Sequence, residues 1–165
     1  MHPNETKPSL LITGANGYIG SITLQKLVEQ RESFDHIVAL DIREPREQDR
    51  LEGITYSTGD VRDTGIGTLF SEYRISTVVH LASIVSPGKK HDRDFEYSVD
   101  VLGTRNVLEA CVAHSVRHLV LTSSGAAYGY YADNPQPLQE DDSIRGNPEF
   151  AYSDHKRQVE EMLAT

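Results

Sequence analysis

A glycine-rich turn directly after a short apolar run is the feature that most restricts how this chain folds. The run Ser9–Thr13 leads straight into Gly14–Gly20, which has the pattern G-x-x-G-x-x-G, and apolar residues then recur at helical spacing over Tyr18–Gln30. The pattern predicts a buried strand, a tight turn and a helix. The first glycine makes the turn, the second allows close backbone approach of a ligand, and the third packs the helix against the strand.

The rest of the chain repeats this alternation of strand and helix. Further strands are predicted at 36–40, 54–58, 76–82 and 117–122, and helices at 63–73, 94–113 and 151–163, with a loop over 129–148. In the long helix the expected buried positions are Phe95, Val99, Leu102 and Leu108. Strands that are apolar throughout and alternate with helices predict a parallel sheet covered on both faces. We therefore expect a doubly wound α/β sheet of the Rossmann type, forming one domain over residues 1–165.

The composition excludes several classes of protein. A net charge of −9 repels phosphate backbones and anionic lipid surfaces. Apolar stretches are far shorter than the ~18 residues that cross a bilayer, and the N-terminus has no signal-peptide pattern. The one cysteine, Cys111, fits a reducing compartment and a place in the core, and His114 and His118 straddle a helix-to-strand turn, which argues against a metal site. We expect a soluble cytoplasmic protein that binds neither nucleic acid nor membrane.

An acidic residue follows the glycine turn at the spacing of a dinucleotide site. Amides at the start of the helix would face a pyrophosphate, and Asp41 lies 21 residues after Gly20, close to the position of an acid that binds a ribose 2′-hydroxyl. Such a carboxylate favours NAD over NADP, although Arg43 would accommodate a 2′-phosphate. Asp60 ends the third strand, where an adenine amino group could be held. The alternatives are a purely structural glycine turn, a solvated Asp41 and a turn-forming Asp60.

Three side chains supply the parts of a hydride-transfer site. Tyr152 and Lys156 are four residues apart in the last predicted helix and share a face. Ser124 follows the fifth predicted strand, at the carboxyl edge where doubly wound sheets bind ligands. A tyrosine beside an ammonium group can serve as acid and base, while the serine holds the reacting oxygen. The alternative for the tyrosine–lysine pair is a solvated helix face, so the pair gains weight only together with the glycine turn and the serine.

These motifs together resemble those of the extended short-chain dehydrogenase/reductases. The matching segments follow the family's order across nearly the whole chain and are Thr13–Gly20, His80–Ser83, Gly103–Thr104, Ser123–Gly129 and Tyr152-x-x-x-Lys156. More narrowly, the chain is similar to the NAD-dependent epimerase/dehydratase family, many of whose members act on nucleotide sugars. Each motif alone is weakly specific, whereas the ordered set is highly specific.

The resemblance implies a role for each matching residue. Contacts to the pyrophosphate are implied for Gly14, Gly17, Tyr18, Ile19 and Gly20. Contacts to the adenosine half are implied for Asp41, Asp60 and Val61, and contacts to the nicotinamide side for Leu81, Ala82 and Ser83. The catalytic residues would be Ser124, Tyr152 and Lys156, with Lys156 also bonding the nicotinamide ribose.

Three features depart from the family pattern. Asp100 stands where the family usually has asparagine, and the run Ser123–Ala127 has alanine where a larger apolar residue often lies, which changes the shape of the pocket. Family members are also about twice as long. We therefore expect the N-terminal portion of a longer enzyme, without most of its substrate contacts, rather than a natural short form. The fifth strand, with Leu119, Val120 and Leu121, is then expected to be an exposed edge.

The combined prediction is an NAD-dependent epimerase, dehydratase or dehydrogenase that acts on a nucleotide sugar or a related hydroxyl or keto compound. NADP is the less favoured cofactor. The alternative is a non-catalytic NAD(P)-binding module that senses redox state or docks a partner, and a third possibility is a chain that functions only within a complete protein. The resemblance also implies a homodimer formed through the helix from about 94 and the Tyr152 helix.

Overall fold

A parallel sheet of five strands organises the chain. The computed structural model describes residues 7–85 and 92–164, within which the strand order is β3-β2-β1-β4-β5. The strands are β1 (Leu10–Thr13), β2 (Ile37–Asp41), β3 (Thr55–Thr58), β4 (Thr77–His80) and β5 (His118–Leu121). The strand order changes direction at β1, so its carboxyl end lies at the switch point where such sheets bind ligands. The predicted doubly wound α/β fold is confirmed.

The helices divide between two compact units. They are α1 (Tyr18–Val28), α2 (Gly67–Glu72), α3 (Arg93–Tyr97), α4 (Thr104–Ala113) and α5 (Ala151–Leu163). One unit comprises Met1–Ala82 with Asn106–Leu121, and contains the sheet; the other comprises Ser83–Arg105 with Thr122–Thr165, and contains α3 and α5. Hereafter these are the sheet unit and the tyrosine unit. No helix in the described part of the chain is both long and apolar enough to cross a membrane.

Burial across the sheet is greatest at its centre. Leu10, Ile12 and Ile37 pack with Leu24 of α1 on one face, while the alternating residues of the same strands are buried towards the other face. Within the described part of the chain, β3 and β5 each pair with one neighbouring strand, and their residues are half-buried or exposed. The prediction of apolar strands covered on both faces is therefore correct for β1 and β2, correct in part for β4, and wrong for β3. The predicted exposed edge at β5 is confirmed, and Val120 is an exposed residue there.

The helix predicted over 94–113 consists of three segments. A π-helical turn, Ser98–Gly103, separates α3 from α4, and its wider hydrogen-bonding pattern rotates the side chains that follow it. Two of the residues predicted to be buried, Phe95 and Leu102, are exposed, and Val99 and Leu108 are half-buried. The buried positions include Glu96, Asp100 and Val101. The prediction was wrong because it assumed one helical period and an apolar buried face.

Two further predicted segments begin with a 3-10 turn that was not predicted from the sequence. The helix predicted over 63–73 begins as a 3-10 turn, Thr64–Ile66, which Asp63 caps by accepting a hydrogen bond from the Gly65 amide at 2.8 Å. The loop after β5 likewise begins with a 3-10 turn, Gly125–Tyr128. Other 3-10 turns are Arg31–Ser33 and Glu47–Asp49. The final helix has the predicted bounds.

Candidate active site

The turn between β1 and α1 has two positions that require glycine. Gly14 has a φ of +67°, and a Cβ atom there would lie 2.7 Å from the backbone nitrogen of Ala82. A Cβ atom on Gly20 would lie 2.3 Å from the carbonyl oxygen of Gly14. Gly17 is less restricted, because its φ is −73° and its Cβ would lie 3.1 Å from that oxygen. The fold itself therefore explains Gly14 and Gly20, and a ligand contact at Gly17 stays a prediction.

The first turn of α1 is suited to an anion. Gly17 is its N-cap residue, no side chain among the residues that the structure describes caps the helix, and the first turn of α1 holds no acidic residue. Tyr18 and Ile19 are exposed. An uncapped helix N-terminus presents backbone N–H groups and the positive end of the helix dipole to a ligand such as a pyrophosphate.

Asp41 lies beside this turn, at the carboxyl end of β2. Its side chain is 8% exposed, with Oδ2 accepting a hydrogen bond from the Asn16 amide at 2.9 Å and Oδ1 accepting one from the Arg43 amide at 3.1 Å. The Asn16 side chain donates to the Arg43 carbonyl at 2.5 Å, which joins the two loops. Each carboxylate oxygen keeps acceptor capacity for a ribose hydroxyl. The Arg43 side chain is exposed, with its Nε atom 3.8 Å from Oδ1 of Asp41.

Asp60 and Val61 form a loop at the end of β3 that α4 holds in place. The Asp60 carboxylate pairs with Arg62, whose Nη2 atom lies 2.6 Å from Oδ2. Hydrogen bonding from that guanidinium holds the pKa of Asp60 below its ordinary value. The Asn106 side chain donates to the carbonyls of Val61 and Asp63 at 2.7 and 2.9 Å. Sequence reasoning missed Asn106, since its partners lie more than 40 residues away in the chain and no local spacing indicates them.

Leu81 and Ala82 are fixed by a threonine at the end of β1. The Leu81 amide donates to the Thr13 carbonyl at 3.1 Å, and the Ala82 amide donates to Thr13 Oγ1 at 3.4 Å. Thr13 Oγ1 also lies 2.6 Å from Nδ1 of the buried His80. The structure thus brings Leu81 and Ala82 to the glycine turn, where Gly14 lies against their backbone.

In the tyrosine unit, Tyr152 and Lys156 lie together on one face of α5. The Nζ atom of Lys156 is 5.7 Å from the centre of the Tyr152 ring and donates a hydrogen bond to the Thr122 carbonyl at 2.8 Å. The lysine is only 7% exposed. Burial lowers its pKa, and the negative charges of Asp100 and Glu160 act in the opposite direction. The solvated-face alternative therefore does not hold for Lys156.

A salt-bridge cluster fixes the start of α5. Asp154 lies 2.8 Å from Arg157 Nη2 and 2.9 Å from Arg93 Nη2 on α3. Burial raises the pKa of Asp154, but the pairs with Arg157 and Arg93 outweigh it and hold the pKa below its ordinary value. Because Asp154 lies between Tyr152 and Lys156, the cluster fixes the rotation of the helix face that carries them.

Ser124 lines a cavity. It is the N-cap residue of Gly125–Tyr128, where its Oγ atom accepts a hydrogen bond from the Ala126 amide at 3.1 Å. The cavity has a volume of about 600 Å³, and its lining includes Ser123, Ser124, Tyr128, Glu140, Ile144 and Glu160. Two carboxylates thus share a cavity with the predicted catalytic serine.

Ser83 belongs to a buried polar group that the sequence did not indicate. Its Oγ atom donates to Asp100 Oδ1 at 3.0 Å, and Nδ1 of His155 lies 3.2 Å from Asp100 Oδ2. One signal was present in the sequence, since Asp100 departs from the family's asparagine. His155 gave no such signal, although it lies within the same helical turn as Lys156.

Comparison with known proteins finds similarity to UDP-glucose 4-epimerases and to an L-threonine dehydrogenase. The UDP-glucose 4-epimerase of Halalkalibacterium halodurans is 34% identical over 158 residues, covering 94% of this chain and 45% of the epimerase. The structure of Thermus thermophilus UDP-glucose 4-epimerase in complex with NAD is 28% identical, with a TM-score of 0.74 over 94% of this chain and 50% of that one. L-threonine dehydrogenase from Clostridium difficile is 25% identical, with a TM-score of 0.81 over 97% and 49%. The chain spans about half the length of these relatives.

A sequence model of the 3-beta hydroxysteroid dehydrogenase/isomerase family covers most of the chain, matching residues 11–165. The match includes the glycine turn, the three strand-end loops and the Tyr152–Lys156 helix described above. Together with the epimerase relatives, it confirms the resemblance to NAD-dependent epimerases and dehydratases. The chain belongs to the 3-beta hydroxysteroid dehydrogenase/isomerase family.

Proposed function

We propose that residues 1–165 form the NAD-binding Rossmann domain of an NAD-dependent epimerase, dehydratase or dehydrogenase. The observation that carries this proposal is the glycine turn, which opens onto the uncapped start of α1 while Asp41 is hydrogen-bonded to the turn through Asn16. A dinucleotide needs both an anion site and a ribose acceptor at this edge of the sheet. A relative of the same fold, the Thermus thermophilus epimerase, was solved in complex with NAD.

The electrostatics around Asp41 favour NAD over NADP. A 2′-phosphate would bring further negative charge against a carboxylate that is 8% exposed. Arg43 is the nearby cation, but its side chain is largely exposed and weakly placed to offset that repulsion. Asp60 and Val61 are proposed to flank the adenine, and Tyr18 and Ile19 to donate backbone N–H groups to the pyrophosphate.

The proposed chemistry uses Tyr152, Lys156 and Ser124. Bound NAD would accept hydride from a substrate carbon and return it. Tyr152 takes the proton of the substrate hydroxyl as the carbonyl forms and gives it back when the carbonyl is reduced. Lys156 places positive charge beside the tyrosine ring, and Ser124 holds the substrate oxygen. Leu81, Ala82 and Ser83 are proposed to contact the nicotinamide side.

A nucleotide sugar is the proposed substrate, since UDP-glucose 4-epimerases are prominent among the relatives. The cavity at Ser124 favours a second candidate, the oxidation of a small amino alcohol. Glu140 and Glu160 line that cavity, and carboxylates suit an ammonium group better than a diphosphate. The likeness to an L-threonine dehydrogenase supports this candidate.

Calorimetry with NAD and NADP tests the cofactor assignment. We expect NAD to bind the chain more tightly than NADP, and Gly17→Trp, which fills the approach to the turn, to abolish binding. Gly125→Ala is the matched control, because a Cβ atom there meets nothing within 4 Å. Absence of NAD binding, or equal binding by the Gly17→Trp variant, would contradict the proposal.

Activity assays separate the two substrate candidates. UDP-glucose and L-threonine are supplied in turn, and conversion of the sugar or reduction of NAD is followed. We expect Tyr152→Phe to lower the rate by about 10²–10⁴-fold, the usual contribution of a general acid–base group, while NAD affinity is kept. A chain that binds NAD but is equally active with and without the tyrosine hydroxyl would contradict the catalytic role and favour the binding-module alternative.

The same proposal includes a homodimer and a cytoplasmic location. Phe95 and Leu102 are exposed apolar residues of the tyrosine unit, which a second copy would cover. The buried free thiol of Cys111 is consistent with a reducing compartment. Light scattering of Leu102→Glu beside the unchanged chain tests the dimer, and identical masses would count against that interface.

A further inference from the structure

Asp100 is a buried carboxylate inside the π-helical turn of the tyrosine unit. It is 5% exposed. Its Oδ1 atom accepts hydrogen bonds from the Ile84 amide at 2.7 Å and from Ser83 Oγ at 3.0 Å, and its Oδ2 atom lies 3.2 Å from Nδ1 of His155. The carboxylate therefore joins the chain segment that follows β4 to helix α5.

His155 completes this group from the other side. It is 1% exposed, and the edge of its ring packs against Tyr97 of α3 with 5.7 Å between centroids. Both other partners of Asp100 are donors, so the arrangement suits an ionised carboxylate that also accepts a hydrogen from Nδ1 of His155. In the neutral ring the other nitrogen is then an acceptor. That Nε2 atom is buried and has no hydrogen-bond partner among the described residues.

The pair lies directly beside Lys156. His155 precedes the lysine on α5, and the lysine donates to the Thr122 carbonyl at 2.8 Å. Asp100 also acts on the lysine through its charge, which opposes the lowering of the Lys156 pKa by burial. The other charge facing Lys156 is Glu160, one turn further along the helix. Asp100 thus contacts the Ser83–Ile84 segment and acts on Lys156 through its charge.

We propose that Asp100 and His155 are a positioning pair, which ties the Ser83–Ile84 segment to α5 and so holds Lys156 in place for the nicotinamide half of the cofactor. The inference rests on the proposed function, which gives Ser83 and Lys156 their contacts to that half. It accounts for the departure at position 100, because the charge of the aspartate has a histidine partner on α5. Neither residue touches the reacting atoms.

Three substitutions distinguish the effect of the Asp100–His155 hydrogen bond from the effect of the Asp100 charge. His155→Ala breaks the hydrogen bond and leaves the Asp100 side chain in place. His155→Asn restores an N–H donor close to the position of Nδ1. Asp100→Asn removes the charge but keeps the link, since its amide can donate to Nδ1 when the imidazole hydrogen moves to Nε2.

Nitrogen NMR of the imidazole and calorimetry with NAD give the expected results. The unchanged chain shows the Nδ1–H form of His155, and Asp100→Asn shows the Nε2–H form. His155→Ala binds NAD about tenfold more weakly, the loss expected for a hydrogen bond to a charged group, while His155→Asn recovers most of the affinity. Carbon NMR of Lys156 shows titration at lower pH in Asp100→Asn than in the unchanged chain.

The possible failures are distinguishable. An Nε2–H form in the unchanged chain, an unaltered Lys156 titration in Asp100→Asn, or His155→Ala with normal NAD affinity each overturns the positioning pair. His155→Asn that binds no better than His155→Ala also overturns it, which covers the case where the alanine variant folds poorly. Failure of the unchanged chain to bind NAD overturns the proposed function and with it the cofactor role of the pair, while the two NMR readouts still decide whether the link exists.

Discussion

The sheet unit and the tyrosine unit each hold their proposed functional residues in a different way. In the sheet unit, the turn needs Gly14 and Gly20 because they have no side chain. At each of them, backbone atoms lie less than 3 Å from the position that a Cβ atom would take. In the tyrosine unit, Lys156 is held by a backbone carbonyl and lies beside the buried Asp100–His155 pair. The proposed nucleotide-binding residues thus depend on shape, and the proposed catalytic residues depend on buried polar groups.

This difference has consequences for stability. The close backbone packing at Gly14 and Gly20 stabilises the fold and also shapes the proposed ligand site. The same atoms therefore serve both stability and binding. Buried charged groups cost free energy unless they are well paired. Lys156 has a lowered pKa because its burial opposes its charge. We therefore expect substitutions at Gly14 and Gly20, where backbone atoms leave no room for a Cβ atom, to affect stability and binding together, and substitutions at Lys156 to separate them.

Gly20→Ala is expected to have the largest effect. Its Cβ would lie 2.3 Å from the Gly14 carbonyl oxygen and 2.6 Å from that of Ala15. Backbone atoms cannot move aside cheaply, so we expect a loss of about 3 kcal/mol or more in the free energy of unfolding and no detectable NAD binding. Urea unfolding and calorimetry measure the two quantities.

Gly17→Ala and Gly125→Ala complete the series. The alanine at 17 has a closest contact of 3.1 Å, and the one at 125 has none within 4 Å. We expect Gly17→Ala to weaken NAD binding with little change in stability, and Gly125→Ala to change neither. Equal stability of Gly20→Ala and Gly125→Ala would show that the turn tolerates side chains and that shape is not its basis.

The sequence predicted the sheet unit well, because the features of that unit depend on local patterns in the chain. Apolar runs that end at glycine or aspartate mark parallel strands by local pattern alone, and the strand boundaries agree with the structure to within a few residues. Asp41 could be identified because it ends the second predicted strand, 21 residues after Gly20. Asn106 could not be found, since hydrogen bonds to a distant loop leave no periodic signal.

The tyrosine unit was less predictable. Tyr152 and Lys156 follow from helical spacing, and their proximity needed no long-range information. The buried face of α3 and the π-helical turn carries Glu96 and Asp100, whereas the apolar pattern pointed to Phe95. A hydrophobicity pattern cannot identify a carboxylate that is buried because it is hydrogen-bonded. Asp100 stood out in the sequence only as a departure from the family's asparagine, and its pairing with His155 became visible only in the structure.

Asn106→Ala tests whether side chains matter in the sheet unit too. It removes two hydrogen bonds, to the carbonyls of Val61 and Asp63. We expect a loss of about 1–2 kcal/mol in stability and a several-fold weaker affinity for ADP-ribose, because the loop proposed to flank adenine is released. Thermal unfolding and calorimetry check both. Unchanged affinity despite reduced stability would mean that the loop does not contact the adenine.

Lys156→Met tests whether stability and hydride transfer can be changed separately in the tyrosine unit. Replacing a buried cation by an apolar side chain of similar length removes its desolvation cost, so at pH 7 we expect stability to be unchanged or higher by about 1 kcal/mol while hydride transfer is lost. A lowered pKa means that the folded chain binds fewer protons than the unfolded chain at pH values just below 10.5. The unchanged chain should therefore gain stability relative to Lys156→Met as the pH rises through that range. Unfolding free energies from pH 7 to 10 provide the measurement, and a constant difference would contradict the role of burial.

The reactivity of Cys111 offers the mildest test, because the cysteine itself is left unchanged. Burial raises the pKa of this α4 thiol to about 11, so at pH 8 the reactive thiolate is scarce and reaction with an aromatic disulfide reagent is slow. Unfolding exposes the thiol and restores an ordinary pKa near ~8.5, which makes the reaction fast. Cys111 belongs to the sheet unit, so its slow rate in the native chain reports opening of that unit. We expect Gly20→Ala to accelerate the reaction of Cys111 and Gly125→Ala to leave its rate unchanged. A fast reaction in the unchanged chain would show that the sheet unit opens readily. It would contradict the close packing at Gly14 and Gly20 as the basis of that unit's stability.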